Sequence, residues 1–541
     1  MYLHETIADG LTQLGVTHLY GLLGDANLFM VQSFVATGKG RYIACNHEAN
    51  AVLAAIGYAQ VTGRTGVATI THGPALTNAA TALTEAAKGG IPLVLICGDT
   101  APGDLQHLQK INQREVVAAT GADYVDLRTP DTALQDLDRA FRRAAHLRKP
   151  VVLNMRVDLQ WAETPPQTIP FPAPLPKLAP ATGDLLEEAV GMLASAKRPL
   201  ILAGRACIEP EARDALIALA DRMQIPLATT LKAQGLFHGH PFNIGISGNL
   251  SHATATETIM QSDCILAFGA SLSKYTTENG TYTQGKRVIQ ILPDTLETPR
   301  MEEPTIRLIG DIAGTARAMI DLLDMAEIPA SAATGTDLSE ALTAEAALFS
   351  SLPPVEATAP GTIDIVPALR RLHQALPQRR VLVADLGRFV FSAWRCLPVT
   401  DPRDLVFTAH FGAIGCGMGQ AIGAATAVDD RPTVLLVGDG GFLLSGLGEL
   451  SAIRRENPDL IILLCNDGSY GAEHVQFTNR KMAPDLSLTA PPDFATMAQG
   501  AGFDAVTVTD TAGLDRACSA IASRLRPLLI DLRLDPAKVF K

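Results

Sequence analysis

Nowhere in this 541-residue chain do two cysteines form a Cys-x-x-Cys pair; all eight lie scattered, at 45, 97, 207, 264, 396, 416, 465 and 518. That pattern excludes a thiolate zinc site and a disulfide framework, and the cysteines read as core residues of a reducing compartment. A block of Lys and Arg is also missing, and the net charge is −12, which excludes nucleic acid as a partner. No apolar run approaches the roughly 18 residues needed to span a bilayer. The start, MYLHETIADGLTQLG, reads as an amphipathic helix rather than a signal sequence, so the expectation is a soluble cytoplasmic chain with no membrane partner. No strand is followed by G-x-G-x-x-G with an acidic residue about 20 positions on, which argues against a nicotinamide dehydrogenase.

What is present suits a large α/β protein. Hydrophobic residues make up 47% and charged residues 18%, enough for buried cores and contrary to disorder. At about 100–200 residues per domain, the length suggests three domains or so. Residues 161–180 (WAETPPQTIPFPAPLPKLAP) carry seven prolines and read as extended linker, taken to run over 161–183. Residues 326–361 are small, polar and Pro-containing, a second linker with room for a short helix. The blocks 1–160, 184–325 and 362–541 each alternate apolar strands with amphipathic helices, which predicts three parallel-sheet α/β domains. Strands are expected at Val16–Leu23, Tyr42–Asn46, Gly66–Thr71 and Pro92–Gly98 in the first block. In the third they are expected at Arg380–Asp385, Leu405–Ala409, Thr433–Val437, Leu460–Cys465, Ala505–Val508 and Pro527–Leu532. The like size and rhythm of these two blocks suggest a duplication, without a residue-level repeat. In the middle block, Gly204-Arg205-Ala206 reads as a tight strand-to-helix turn rather than a dinucleotide site.

The segment TVLLVGDGGFLLSGLGELSAIRRENPDLIILLCNDGSYG carries the most chemistry. One apolar run ends in Gly438-Asp439-Gly440-Gly441, and the next ends in Asn466-Asp467-Gly468. Two buried strands thereby deliver Asp439 and Asn466 to neighbouring carboxyl ends of a parallel sheet, where open α/β sheets bind ligands. Carboxylate, amide oxygen and the nearby Gly468 carbonyl make a hard-oxygen site suited to Mg²⁺ held with a diphosphate. The glycines let backbone approach the phosphates.

This pattern resembles the diphosphate-binding motif of thiamine-diphosphate-dependent enzymes, and the resemblance extends along the chain as pyrimidine-binding, middle and diphosphate-binding domains. In NHEANAVLAAIGYAQVTG, Glu48 stands where the superfamily's catalytic glutamate faces the aminopyrimidine N1′. THGPALTNAATAL resembles the S-G-P-G-x-T-N loop, with His72 in the serine-like place, a cofactor or substrate contact or a histidine satisfied by loop backbone. HFGAIGCGMGQ puts Ile414 where a bulky side chain bends the cofactor, and VLVADLGRF puts the backbone of Gly387 beside the aminopyrimidine.

Within the superfamily the chain looks like the group of 2-oxo acid decarboxylases, acetohydroxyacid synthases and benzaldehyde-lyase-like carboligases. GLLGDANLF resembles the decarboxylases' G-D-x-N-L turn and implies an active-site role for Asp25, the alternative being a helix cap. NDGSYGAEH places Glu473 like the glutamate of their N-N-x-G-Y-x-x-E segment, the alternative being a solvated helix residue. Both acids would supply the proton that completes an aldehyde after CO₂ leaves. His107 stands alone where pyruvate decarboxylases carry adjacent histidines, and Gln113 matches a glutamine that carboligases place by the substrate. ATTLKAQGLFHGHPFNIGISG resembles acetohydroxyacid synthases, yet FGASLSKYT lacks the arginine with which they hold FAD, so no flavin is expected. The resemblance implies thiamine diphosphate and Mg²⁺, a small 2-oxo acid with or without an aldehyde or ketone acceptor, and a homodimer or homotetramer. Decarboxylation and an acetolactate-synthase-like ligation both stay open, as does the substrate side chain.

Overall fold

The computed structural model describes residues 1–169, 178–294 and 303–538; eight residues of the expected Pro-rich linker, 170–177, lie outside them. Among the described residues stand three six-stranded parallel sheets. The first contains β1 (His18–Gly21), β2 (Arg41–Ala44), β3 (Gly66–Ile70), β4 (Leu93–Asp99), β5 (Asp123–Asp126) and β6 (Pro150–Arg156), in the order β2-β1-β3-β4-β6-β5. The second contains β7 (Pro199–Ala203), β8 (Leu227–Thr229), β9 (Asn243–Ile246), β10 (Cys264–Phe268), β11 (Arg287–Leu292) and β12 (Ile306–Ile309), ordered β12-β11-β10-β7-β8-β9. The third contains β13 (Val381–Ala384), β14 (Leu405–Phe407), β15 (Thr433–Gly438), β16 (Leu460–Asn466), β17 (Asp504–Val508) and β18 (Leu528–Arg533), ordered β14-β13-β15-β16-β18-β17.

The first and third sheets are wound identically, strand for strand. In both, the winding direction reverses between the first and third strands, and ligands bind at such reversals, beyond the carboxyl ends. The central strands are largely apolar, as strands covered by helices on both faces are; β4, β15 and β16 are buried almost end to end.

The chain forms two compact units. One holds residues 1–169, Pro354–Leu397 and the chain from Val406 onward, and so the first and third sheets; the other holds residues 178–353 with Pro398–Leu405. In the first unit the helix Glu48–Thr62 crosses the helix Gly417–Ala427 at backbone contact. A Cβ on Gly57 would stand 2.0 Å from the Gln420 carbonyl oxygen, and one on Gly423 would stand 1.8 Å from that of Ala54. Around this crossing Gln60 donates to the Gln420 side chain (2.9 Å), and the Tyr20 hydroxyl donates to the Gly423 carbonyl (3.2 Å).

In the second unit Gly204 makes the tight turn expected after β7, its N–H donating to the Phe268 carbonyl at 2.7 Å. The segment 326–361 holds more structure than a linker with a short helix. Thr336–Ser350 is a 15-residue helix whose Leu338 and Leu342 pack on a core containing Ala255 and Ile259. Seven of the eight cysteines are buried and Cys518 is partly exposed; all are free thiols.

Candidate active site

β15 and β16 pair with Gly438 opposite Cys465, and Asp439 and Asn466 are the next residues along each chain, at the carboxyl ends of neighbouring strands. Both are buried. Burial and then the charge of Asp467 push the Asp439 carboxyl up to about 7, although Thr489 Oγ1 donates to its Oδ2 at 3.2 Å. Asn466 Nδ2 donates to Asp531 Oδ1 at 2.9 Å, and since a carboxylate only accepts, this fixes which way the amide points. Its Oδ1 is left buried with no hydrogen-bond partner. Such an orphaned acceptor costs about 1–3 kcal/mol. A destabilised carboxylate beside an orphaned amide oxygen is the donor set a hard divalent cation satisfies. The residues therefore fit the group. Gly468, at φ +63°, turns the chain, and its carbonyl accepts from the Thr489 N–H at 2.7 Å with a second lone pair to spare. Asp467 is folded back, its Oδ1 accepting from the Ser469 N–H and hydroxyl.

The neighbouring loops close on the same spot. A Cβ on Gly441 would stand 2.7 Å from Asp385 Oδ2, and one on Gly440 would stand 3.0 Å from the Tyr470 ring. Asp385, just past β13, is buried and accepts from the N–H groups of Leu386 and Gly415, both at 2.8 Å. Burial nonetheless raises its carboxyl to about 6. It ties the turn at Gly387 to the turn carrying half-buried Ile414, and Ser445 adds a hydroxyl bond to the Gly415 carbonyl.

On the first sheet, His47 caps the helix that Glu48 opens, its Nδ1 accepting from the Ala49 N–H at 3.1 Å. The Glu48 carboxylate is partly exposed and accepts from Asn78 Nδ2 at 3.0 Å. His72 is buried, with Nδ1 against Thr71 Oγ1 at 3.1 Å and Nε2 lacking a partner. Burial, then His107, lowers its pKa, which keeps the imidazole neutral. The His72 and His107 rings lie 5.0 Å apart. The charge of Asp25 also acts on His72, so Asp25, His72 and His107 gather beyond β1 and β3.

Asp25 is exposed and makes no helix-capping bond; its neighbour Asn27 holds that turn, accepting from the Gly24 N–H at 2.9 Å. Gln113 does not face an open site. Its Nε2 donates to the Gly98 carbonyl (2.7 Å) and Asn154 Oδ1 (2.8 Å), and its Oε1 accepts from the Gly73 N–H (2.9 Å). The whole amide is thus engaged in bracing the turn after His72. Glu473 is exposed in the first turn of the helix Gly471–Asn479. Asn78, Asp385 and Thr489 also serve the site but carry no separate role in the sequence reading; Asn78 and Asp385 stood inside motifs quoted for other residues, whereas Thr489 has no local signal.

Two sheets of identical winding, one offering a Gly-Asp-Gly turn with hard-oxygen donors and the other a helix-opening glutamate, define a class of enzymes that hold a diphosphate cofactor between paired domains. Three family models match the chain in that order: thiamine pyrophosphate enzyme, N-terminal TPP binding domain, over residues 1–118; the central domain over 186–319; and the C-terminal TPP binding domain over 385–532. The chain belongs to the thiamine-diphosphate-dependent enzyme superfamily. It is 27% identical to the acetolactate synthase large subunit of Corynebacterium glutamicum, over 93% of this chain and 82% of that one. It is 26% identical to the probable 2-ketoarginine decarboxylase AruI of Pseudomonas aeruginosa, over 97% and 92%. With the acetolactate synthase isozyme 2 large subunit of Escherichia coli it shares 24%, over 98% and 95%. Among the described residues no helix is long and apolar enough to cross a membrane.

Proposed function

We propose that the protein is a Mg²⁺- and thiamine-diphosphate-dependent enzyme that decarboxylates a 2-oxo acid and either releases the aldehyde or joins the remaining unit to a second carbonyl. The orphaned Asn466 Oδ1 beside the destabilised Asp439 carboxylate carries this reading, because a divalent cation held there would satisfy both. Thiamine diphosphate, when bound, would supply a carbon nucleophile for the substrate carbonyl and a sink for the electron pair released with CO₂. Asp439, Asn466 and the Gly468 carbonyl hold the cation, and Gly438, Gly440 and Gly441 leave room for phosphate oxygens. Glu48 holds a proton at the aminopyrimidine, oriented by Asn78. Ile414 and the Gly387 backbone shape the cofactor's seat. Neutral His72, with His107, offers a hydrogen bond to the substrate, while Gln113 keeps the His72–Gly73 turn in place. Asp25 and Glu473 supply the final proton.

A specific observation favours the second reading, acetolactate-synthase-like ligation: two of the three relatives named above are acetolactate synthases. The segment Phe268–Thr276 contains no arginine, so activity is expected without added FAD and the native protein should be colourless.

Calorimetry tests the cofactor assignment. Thiamine diphosphate should bind with Mg²⁺ and fail to bind in chelator, and Asp439→Ala should abolish binding; equal affinity in chelator refutes the cation bridge. A panel of 2-oxo acids, with CO₂ and ligation products measured together, then separates the two reactions. Turnover of none, by a cofactor-loaded protein, would defeat both.

A further inference from the structure

Glu85 is fully buried on the last turns of the helix Pro74–Gly89, and its carboxylate serves the loop after β14. Its Oε1 accepts from the His410 N–H at 3.0 Å and from His410 Nδ1 at 2.7 Å, and its Oε2 accepts from the Phe411 N–H at 2.6 Å. The His410 side chain is as buried as its partner. Its ring stands edge-on to Phe407 at 4.8 Å, and Phe407 stacks on Trp394 at 5.6 Å. Downstream in the same loop come Ile414 and then Gly415, whose N–H is held by Asp385. A buried carboxylate therefore grips each end of the loop that carries Ile414. One comes from the loop's own sheet, the other from the first domain.

Burying a carboxylate gives little net stability even when it is hydrogen-bonded, because desolvation offsets what its partners return. Placement of the loop explains Glu85 better. Two turns before it on the same helix is Asn78, which donates to Glu48. One rigid rod thus holds the glutamate at one end and the Ile414 loop at the other. We propose that Glu85 is a positioning residue: through His410 and Phe411 it sets the height of Ile414, and hence the shape of the cofactor's seat. This rests on the assignment of Ile414 to that seat made above. A glutamine in place of Glu85 keeps one acceptor oxygen and turns an NH₂ toward an N–H, so one end of the grip is lost.

The test is a double-mutant cycle on thiamine diphosphate affinity, measured by calorimetry at fixed Mg²⁺ for wild type, Glu85→Gln, Ile414→Ala and the double variant. Glu85→Gln should weaken binding about tenfold in wild type and about twofold or less alongside Ile414→Ala, because coupled residues are non-additive. The apo melting temperature is recorded for each, and Glu85→Asp, which keeps both oxygens one methylene short, replaces Glu85→Gln if that variant does not fold. Equal losses in both backgrounds would make Glu85 merely structural and overturn the inference, leaving the cofactor assignment intact. A wild type that binds no thiamine diphosphate would remove the cofactor assignment and the inference with it.

Discussion

Glu48 is partly exposed and receives one side-chain hydrogen bond, from Asn78, while the helix behind it is buried from Asn50 to Val61. Its carboxyl is thus free to face a ligand, and its backbone is not free to move. Glu48→Gln keeps the diphosphate anchor and loses the acid, so the variant should retain cofactor while exchanging the cofactor's C2 proton at least about tenfold more slowly, a modest share of a general-acid contribution; NMR after acid quench measures this, and wild-type exchange would assign the work elsewhere. Asp25 and Glu473 are exposed, and Asp25 caps nothing. If they deliver the final proton, Asp25→Asn and Glu473→Gln should each raise the ratio of ligation product to free aldehyde, read by chromatography with an added acceptor aldehyde. Unchanged ratios in both would favour acetolactate-synthase-like ligation. Asp439 and Asn466 could be proposed from the sequence because each stands at the carboxyl end of an apolar strand, and Glu48, which opens a helix, through the family resemblance. The groups that tune them could not. Thr489 meets Asp439 across 50 residues, and Glu85 meets His410 across 325, separations that no local pattern encodes.

Strands covered on both faces announce themselves, and so all six of the third sheet were placed within a residue or two. β5 gave no such signal: Asp123-Tyr-Val-Asp126 is a short edge strand with a carboxylate at each end. β6 is different, since PVVLNMR is as apolar a run as β4 and carries the signal of a buried strand. The helix Thr336–Ser350 leaves a weak sequence signal because it has no buried residue and its apolar contacts, Leu338 and Leu342, are few. Another helix carries a pH-dependent element. His373, on Ile365–Ala375, accepts from Arg380 Nη2 at 2.8 Å, and burial, then that guanidinium, lowers its pKa from 6.5 to about 4. An unfolded imidazole takes up its proton as the pH falls below about 6.5, the folded one only near 4. Between those values the unfolded state binds more protons, so stability declines as pH falls. His373→Gln, whose amide oxygen can still accept from Arg380, should shrink the fall in melting temperature between pH 7 and pH 5. An unchanged fall would place the acid sensitivity in other groups.

In the whole molecule the proposed chemistry is divided between the first and third sheets, with Glu48 on one and the Gly438–Gly441 turn on the other. If each site takes Glu48 from one subunit and Asp439 from its partner, two inactive variants can repair each other. Glu48→Gln and Asp439→Ala proteins, unfolded together and refolded, should recover about a quarter of wild-type activity, since half the dimers formed at random are hybrids and each hybrid has one intact site. No recovery, with hybrids confirmed by native mass spectrometry, would put both residues of a site in one chain. The free thiols bear on a different matter. Seven lie in the interior and only Cys518 is partly exposed. Burial raises the pKa of several, Cys45, Cys97 and Cys465 among them, which suppresses the thiolate that reacts. An alkylating reagent therefore finds one site on a folded chain and every cysteine on an opened one. Because the adducts are permanent, the mass of each molecule afterwards tells whether it ever came apart, which turns an ordinary heating experiment into a census of individual unfolding histories.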